Sequence, residues 1–143
     1  MKHFIRIAFW IVTIAVFCWN TQGKPISKPL IEMSDLTLLK NVRCIDGSEF
    51  YAPENIEKEC FINALNCVTL ELERTNKSEE CRDPGKRIPQ SLEVLDNIIK
   101  ELNQKNLTPH NSSKCNCHLW PEKNFASFAD DIMTLLHKIN TEV

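Results

Sequence analysis

The sequence predicts an all-α fold, a short-chain four-helix bundle with long connections that disulfides hold together. Glycine makes up only 3 of the 143 residues, and this scarcity argues against turn-dense β-sandwiches. The chain is 43% apolar, and in four segments the apolar residues recur every three or four positions, the period of an α-helix. Seven Cys in so short a chain indicate covalent cross-links in an oxidising compartment.

The N-terminus has the pattern of a secretory signal peptide. A basic segment precedes an apolar run over 7–19, and a Thr-Gln-Gly segment suited to cleavage follows at 21–23. As a helix this run would rise about 20 Å, less than the roughly 30 Å hydrocarbon core of a bilayer. We therefore predict a signal peptide over 1–23, a secreted, extracellular domain over 24–143, and no membrane insertion.

Composition also excludes several classes of function. The net charge of −2 argues against nucleic-acid binding, which needs a basic excess to neutralise phosphates. After the signal peptide only His110, His118 and His137 remain, and no nucleophile motif is visible, so an enzyme is not expected. Zinc at Cys115–His118 would need a further ligand from elsewhere. We expect no metal or other cofactor, and a monomer.

The first predicted helix, over about 29–43, is apolar on more than one side. Its apolar residues form two lines, Leu30, Met33, Leu36 and Leu39, and Ile31, Leu38 and Val42. These positions surround most of the cylinder. Complete burial of one such helix is hard to arrange in a small domain, so we predict that it presents part of its surface to a partner.

The other three predicted helices each have one apolar face. The helix over about 57–74 would bury Phe61, Leu65, Val68 and Leu72. The helix over 88–104 would bury Ile88, Leu92, Leu95, Ile99 and Leu102. In the helix over 122–139 the apolar face consists of Phe125, Phe128, Ile132, Leu135, Leu136 and Ile139. Pro121 suits the first turn of this last helix.

The three connections, over 44–56, 75–87 and 105–120, are longer than is usual between helices of a bundle. Each is long enough to carry the chain back along a neighbouring helix. This length permits an up-up-down-down topology with crossover connections. Saposin-like and lipid-transfer folds also combine short helices with several disulfides, and they stay open at this point.

Removal of residues 1–23 leaves six Cys, an even number that predicts three disulfides. Cys60 and Cys67 lie on one flank of a helix about 10 Å apart, while Cys115 and Cys117 lie about 7 Å apart if extended. Two bridges can therefore run side by side between these segments. Spacing alone leaves the pairing open.

Asn76, Asn106 and Asn111 each begin an Asn-X-Ser/Thr triplet, the acceptor sequence for N-glycosylation. Asn76 and Asn111 are predicted in connections, and Asn106 follows the third helix. Three such triplets outside the predicted core fit a secreted glycoprotein.

Two segments resemble the interleukin-15 and interleukin-2 family of cytokines, and the interleukin-15 branch more closely. They are Glu59–Glu73, ECFINALNCVTLELE, and Cys115–Phe125, CNCHLWPEKNF. The specific parts are the spacing of the first two Cys, the aliphatic-Glu-Leu run after them, and Glu-Lys-Asn before the last helix. Ser34-Asp35-Leu36 in the first helix also matches.

The resemblance implies a secreted helical cytokine of up-up-down-down topology that triggers lymphocyte signalling in the immune response. Its partners would be receptor ectodomains, namely a β chain and the common γ chain, with a sushi-type α chain. The resemblance also implies the disulfides Cys60–Cys115 and Cys67–Cys117, and Cys44–Cys81 is then the remaining pair.

Particular residues acquire receptor roles from the same resemblance. Asp35 and Asn97 correspond to β-chain contacts, and His137 corresponds to a γ-chain contact. Contacts to a basic α chain would come from Tyr51, Glu54 and Glu71. The alternative function is a secreted lipid-binding or membrane-active helical protein, which would need an internal cavity or a cationic amphipathic face.

Overall fold

The computed structural model describes residues 36–143 and contains three α-helices in that range. They are α1 (Phe61–Lys77), α2 (Arg87–Gln104) and α3 (Phe125–Glu142). The predicted signal peptide, most of the first predicted helix and Asp35 lie outside the described residues. The described part is therefore mostly helical, as predicted.

Four short strands show that an all-α fold is too narrow a description. Strand β1 (Arg43–Cys44) pairs antiparallel with β3 (Cys81–Arg82). Strand β2 (Phe50–Tyr51) pairs antiparallel with β4 (Glu122–Lys123). Each pair forms a separate two-stranded sheet. The predicted connections therefore carry backbone pairing, which the helical periodicity of the sequence does not report.

The first predicted helix does not continue to residue 43. A 3-10 helix covers Thr37–Asn41, and Val42 then has an extended backbone. Because Arg43 and Cys44 pair with β3, their backbone cannot also be helical. Leu36, Leu39 and Val42 are buried, and Leu38 is half-buried. Val42 thus belongs to the protein's own core, not to an exposed partner face.

The buried face of helix α1 is the one predicted, but both ends of the helix differ from the predicted bounds. Its four predicted core residues are completely buried. The helix begins at Phe61 because Lys58–Cys60 form a separate 3-10 turn. At the other end it continues to Lys77, where buried Thr75 donates a hydrogen bond from Oγ1 to the carbonyl oxygen of Glu71.

Helix α2 begins at Arg87. The residue before it, Lys86, makes no capping hydrogen bond with its side chain, and Asp83 accepts the first N–H groups of the helix instead. The two Asp83 carboxylate oxygens accept hydrogen bonds from the backbone N–H groups of Arg87, at 2.8 Å, and Ile88, at 2.7 Å. These bonds satisfy donors that have no partner within the helix. The buried residues are Ile88, Ser91, Leu95, Ile98 and Leu102. The predicted Leu92 and Ile99 are only partly buried.

Helix α3 begins at Phe125 and not at the predicted residue 122. Glu122 and Lys123 are held in the β2–β4 sheet, and the Asn124 side chain then accepts a hydrogen bond from the N–H of Ser127 at 2.9 Å. Asn is a favoured N-cap residue because its oxygen satisfies such a donor. All six residues of the predicted apolar face are buried.

One hydrophobic core joins the helices and the short strands. Phe50 from β2 packs between two side chains of α3, with ring centroids 5.3 Å from Phe125 and 5.5 Å from Phe128. The Arg74 guanidinium lies 5.4 Å from the centroid of the Phe50 ring. Strand β2 is therefore fixed between the core and helix α1.

Three disulfides connect Cys44–Cys81, Cys60–Cys115 and Cys67–Cys117. The last two are the pairs that the resemblance implies, and both join α1 or the turn before it to the segment preceding α3. The first links β1 to β3 at directly opposite positions. Three disulfides in a small chain are typical of extracellular proteins.

We predict that the two bridges from the α1 region are not additive in stability. They span 55 and 50 residues between nearly the same segments. With one in place, the other closes only a short additional loop, so Cys67→Ser with Cys117→Ser should lower the free energy of unfolding by about 2–3 kcal/mol. Removal of both bridges should lower it by about 7 kcal/mol, more than the sum of the single losses. Urea denaturation of the three variants measures this difference.

The Cys44–Cys81 bridge provides the control for this comparison. It spans 37 residues and joins a different pair of segments. Its removal should add nearly independently to the loss of either other bridge. Simple additivity among all three bridges would contradict the shared-loop explanation.

Candidate functional site

The β2–β4 sheet brings acidic and aromatic groups to the surface beside α1. Tyr51 lies directly opposite Glu122 in the antiparallel register, so their side chains share one face. The backbone N–H of Ala52 also donates to the carbonyl oxygen of Pro121 at 3.0 Å and extends the pairing by one bond. Phe50 is buried in the core, and neighbouring strand residues point to opposite faces, so the face that carries Tyr51 and Glu122 is turned toward the surface.

Glu71 of α1 binds the same strand. Its Oε2 accepts a hydrogen bond from the backbone N–H of Tyr51 at 3.2 Å, and its Oε1 lies 3.4 Å from Nε of Arg74. The Glu71 side chain is only 16% exposed. Glu71 therefore anchors β2 on the helix, and most of its carboxylate is already engaged within the protein.

Glu49 completes what we call the tyrosine–glutamate cluster, defined as Glu49, Tyr51, Glu71 and Glu122. A hydrogen bond to Glu122 and repulsion from its charge raise the pKa of Glu49. The same two interactions with Glu122, followed by burial and the charge of Glu71, raise the pKa of the Tyr51 hydroxyl. Within residues 36–143, neither Glu49 nor Glu122 has an ion-pair partner.

The cluster is bordered by an aromatic side chain and a disulfide. The His118 ring lies edge-on to Tyr51, with centroids 5.5 Å apart. His118 follows Cys117, whose bridge to Cys67 attaches it to α1. The cluster therefore combines a rigid, covalently held border with two exposed carboxylates, those of Glu49 and Glu122, that form no ion pair within the described part of the chain.

Glu54 does not join this cluster. Its carboxylate lies 3.9 Å from Nζ of Lys123, which also binds Asp131 of α3 at 2.7 Å. Lys123 and Glu122 are neighbours on β4, so their side chains point to opposite faces of the sheet. The structure thus brings together Tyr51 and Glu71 from the predicted α-chain set, but places Glu54 elsewhere.

The other predicted contact residues lie on the helices. Asn97 is exposed on α2, next to an ion pair in which Lys100 lies 2.9 Å from Asp96. His137 is exposed on α3. Asp35 is outside the described residues, so its predicted β-chain contact stays a prediction.

A second charged group holds the segment before α3 against the turn before α1. Lys114 binds both Glu57, at 3.1 Å, and Glu59. These bonds raise the pKa of Lys114, and the hydrogen bond from Lys114 lowers the pKa of Glu59. Asn63 makes two hydrogen bonds with the backbone of His110, at 3.0 and 2.8 Å. These contacts fix a connection and leave fewer charges free for a partner.

The predicted glycosylation residues are all exposed, as attachment of sugar requires. Asn76 lies in the last turn of α1 and not in the predicted connection, because the helix extends to Lys77. Asn106 follows α2 with a φ of 67°, and Asn111 lies in the connection to α3.

Comparison of the chain with protein-family models, curated proteins and solved structures gave no match in any of the three.

Two properties of residues 36–143 bear on other kinds of site. No helix there is both long and apolar enough to span a bilayer. The same residues contain no group of three or more His, Cys, Asp or Glu placed to hold a metal ion.

Glu49 and Glu122 are the cluster residues that sequence reasoning missed. Glu122 was expected in the first turn of a helix, whereas it lies on a strand opposite Tyr51. Glu49 lies two residues before Tyr51 in a connection without periodicity. The signal that identifies Glu122 is the cross-strand register, which cannot be read from the sequence of strands only two residues long. Glu49 is then identified by its hydrogen bond to Glu122.

We predict that Glu122→Gln lowers the pKa of Glu49 toward its ordinary value, because it removes the carboxylate that hydrogen-bonds to Glu49 and the charge that repels it. A carboxyl whose pKa is raised by folding binds protons more tightly in the folded state. The protein should therefore lose stability as the pH rises through the pKa of Glu49, and this loss should be smaller in Glu122→Gln. Carboxyl NMR titration with urea denaturation across pH 4 to 7 measures both effects. An unchanged Glu49 titration would contradict the contact.

Proposed function

We propose that this protein is a secreted helical cytokine that brings receptor ectodomains together at the cell surface. The partners would be a β chain, the common γ chain and a basic sushi-type α chain, and the outcome would be lymphocyte signalling. The observation that carries the proposal is the tyrosine–glutamate cluster, with carboxylates of Glu49 and Glu122 that have no cation within residues 36–143.

The proposed fold is a four-helix bundle with an up-up-down-down topology. Leu36 and Leu39 are completely buried. The 3-10 helix that contains Leu39 packs against both α2 and α3. This burial supports a first helix that precedes residue 37 and packs as the fourth member. The two bridges between the α1 region and the segment before α3 support the same arrangement.

Charge complementarity supports the α chain as the partner of the cluster. Carboxylates held close together repel one another, and the pKa of Glu49 is raised first by its hydrogen bond to Glu122 and then by the Glu122 charge. An arginine or lysine from a partner would relieve it by pairing with both carboxylates. His118 and the Cys67–Cys117 bridge would supply apolar contact around that pair.

The decisive experiment measures binding of the purified protein to β, common γ and sushi-type α ectodomains, alone and in combination. We expect β and γ together to bind more tightly than either alone, because each adds contacts to the same rigid bundle. Prior capture on the α chain should strengthen binding further. Absence of binding to every ectodomain and combination would contradict the proposal.

Asp35→Asn serves as the internal variant of that experiment. It removes one charge while keeping the side-chain volume, and it should weaken β-chain binding while leaving the melting temperature nearly unchanged. Asn97→Ala and His137→Ala should act on β-chain and γ-chain binding, respectively. Equal β-chain binding by Asp35→Asn and the parent would remove Asp35 from the contact.

We predict that the double substitution Glu49→Gln with Glu122→Gln slows association with the α chain by about tenfold at low salt. The parent's association rate should fall as salt rises, because screening weakens attraction between opposite charges. The variant should show a much weaker salt dependence. Surface plasmon resonance over a range of NaCl concentrations measures both rates.

The matched control is Glu101→Gln with Glu142→Gln, which removes the same charge from exposed positions on α2 and α3. This control should keep the parent's association rate and salt dependence. A loss of equal size in both double variants would indicate net charge, and not the tyrosine–glutamate cluster, as the cause.

A further inference from the structure

The β1–β3 sheet places two arginines side by side on the surface. Arg43 lies directly opposite Arg82 in the antiparallel register, and both residues are exposed. Residues paired in this way have Cβ atoms about 5 Å apart and point to the same face. The two side chains therefore leave the sheet at neighbouring positions on one face.

Neither arginine has an ion-pair partner in the range 36–143. Of the carboxylates near these arginines in the sequence, Asp83 and Glu80 are engaged elsewhere, and Asp46 and Glu79 form no ion pair with either arginine. Both oxygens of Asp83 accept backbone N–H groups at the start of α2, and Glu80 lies 4.0 Å from Arg74. The two guanidinium groups therefore have no carboxylate bound to them in this range and are available to an external anion.

Like charges at directly opposite positions destabilise a sheet, yet this ladder is fixed immediately beside the pair. The adjacent register position is the Cys44–Cys81 disulfide. The next backbone bond runs from the N–H of Ile45 to the carbonyl oxygen of Glu80 at 2.8 Å. The covalent bridge holds the two arginines together despite their repulsion and leaves them preorganised for an anion.

A third cation lies close in the sequence. Lys86 is exposed, four residues after Arg82, and it adopts a left-handed backbone with φ of 53° before α2. Arg87 is less available because its Nη1 donates to Oε1 of Gln90 at 3.3 Å. Three exposed cations, two of them paired across strands and the third close in sequence, suit an anion that carries several charged groups along its length.

We propose that Arg43 and Arg82, with Lys86 four residues further along the chain, bind a sulfated polysaccharide of the heparin class. A guanidinium fork binds the oxygens of a tetrahedral oxyanion through two parallel hydrogen bonds, and two forks side by side match successive sulfate groups. The three disulfides fit an extracellular protein, and sulfated polysaccharides are extracellular polyanions. This site is separate from the tyrosine–glutamate cluster and does not depend on the proposed receptor contacts.

The test measures affinity of the purified protein for immobilised heparin over a range of NaCl concentrations. Arg43→Gln with Arg82→Gln should weaken binding about tenfold or more at physiological salt. It should also reduce the slope of log affinity against log salt by about two, one unit for each lost contact. Equal binding by the parent and this variant would overturn the proposal.

The matched control is Lys58→Gln with Lys105→Gln. Lys105 immediately follows α2 at the end away from Arg82, about 27 Å along the helix, and Lys58 borders the same end beside Asn106. This control should bind heparin like the parent. A loss equal to that of the arginine variant would identify net charge as the cause and overturn the site.

Two further measurements keep the result interpretable. Thermal unfolding should show that the arginine variant is at least as stable as the parent, because the like-charge repulsion is gone. If it does not fold, Arg43→Lys with Arg82→Lys keeps the charge but loses the forks, and should still weaken heparin binding severalfold. Desulfated heparin should bind weakly to the parent, and binding equal to that of heparin would overturn sulfate as the ligand.

Discussion

The paired bridges Cys60–Cys115 and Cys67–Cys117 are the constraint on which the rest of the described structure depends. They attach the segment before α3 to α1, and that segment leads directly into β4. Because β4 is fixed in this way, it can pair with β2 and carry Glu122 to Tyr51. Phe50 secures the same strand from the other side by packing among the aromatic side chains of α3. The surface is therefore determined by covalent bonds on one side and by the core on the other.

Much of the helical framework could be predicted from the sequence because burial imposes a period on it. Every residue of the apolar faces predicted for α1 and α3 is buried. The prediction succeeded because the apolar residues of both helices recur every three or four positions. The ends were less predictable. Helix α3 starts later because β4 and the Asn124 cap take the preceding residues, and α2 starts where Asp83 accepts its first N–H groups. Strand pairing and capping depend on partners distant in sequence or on a single side chain, and periodicity reports neither.

The candidate surface was predictable only in part, for a related reason. Tyr51 and Glu71 were identified and lie together, whereas Glu54 faces Lys123 on the other side of the sheet. Glu122 lies beside them because it pairs with Tyr51 across the strands, and Glu49 contacts Glu122. No sequence motif indicates this strand pairing. The arginine pair has the same origin, since Arg43 and Arg82 are 39 positions apart and become neighbours only through β1 and β3. Short strands in the connections thus assemble both charged surfaces, while the helices supply their support.

The Cys44–Cys81 bridge has a consequence for how this protein responds to proteases. It ties the chain before α1 to the chain after it, across the exposed connection that contains Gly47. A protease that nicks this connection would break the backbone without releasing the N-terminal fragment, which stays attached through sulfur. The nicked molecule would migrate as one species until a reductant separates its two pieces. Damage at this exposed loop is thereby confined to a single peptide bond.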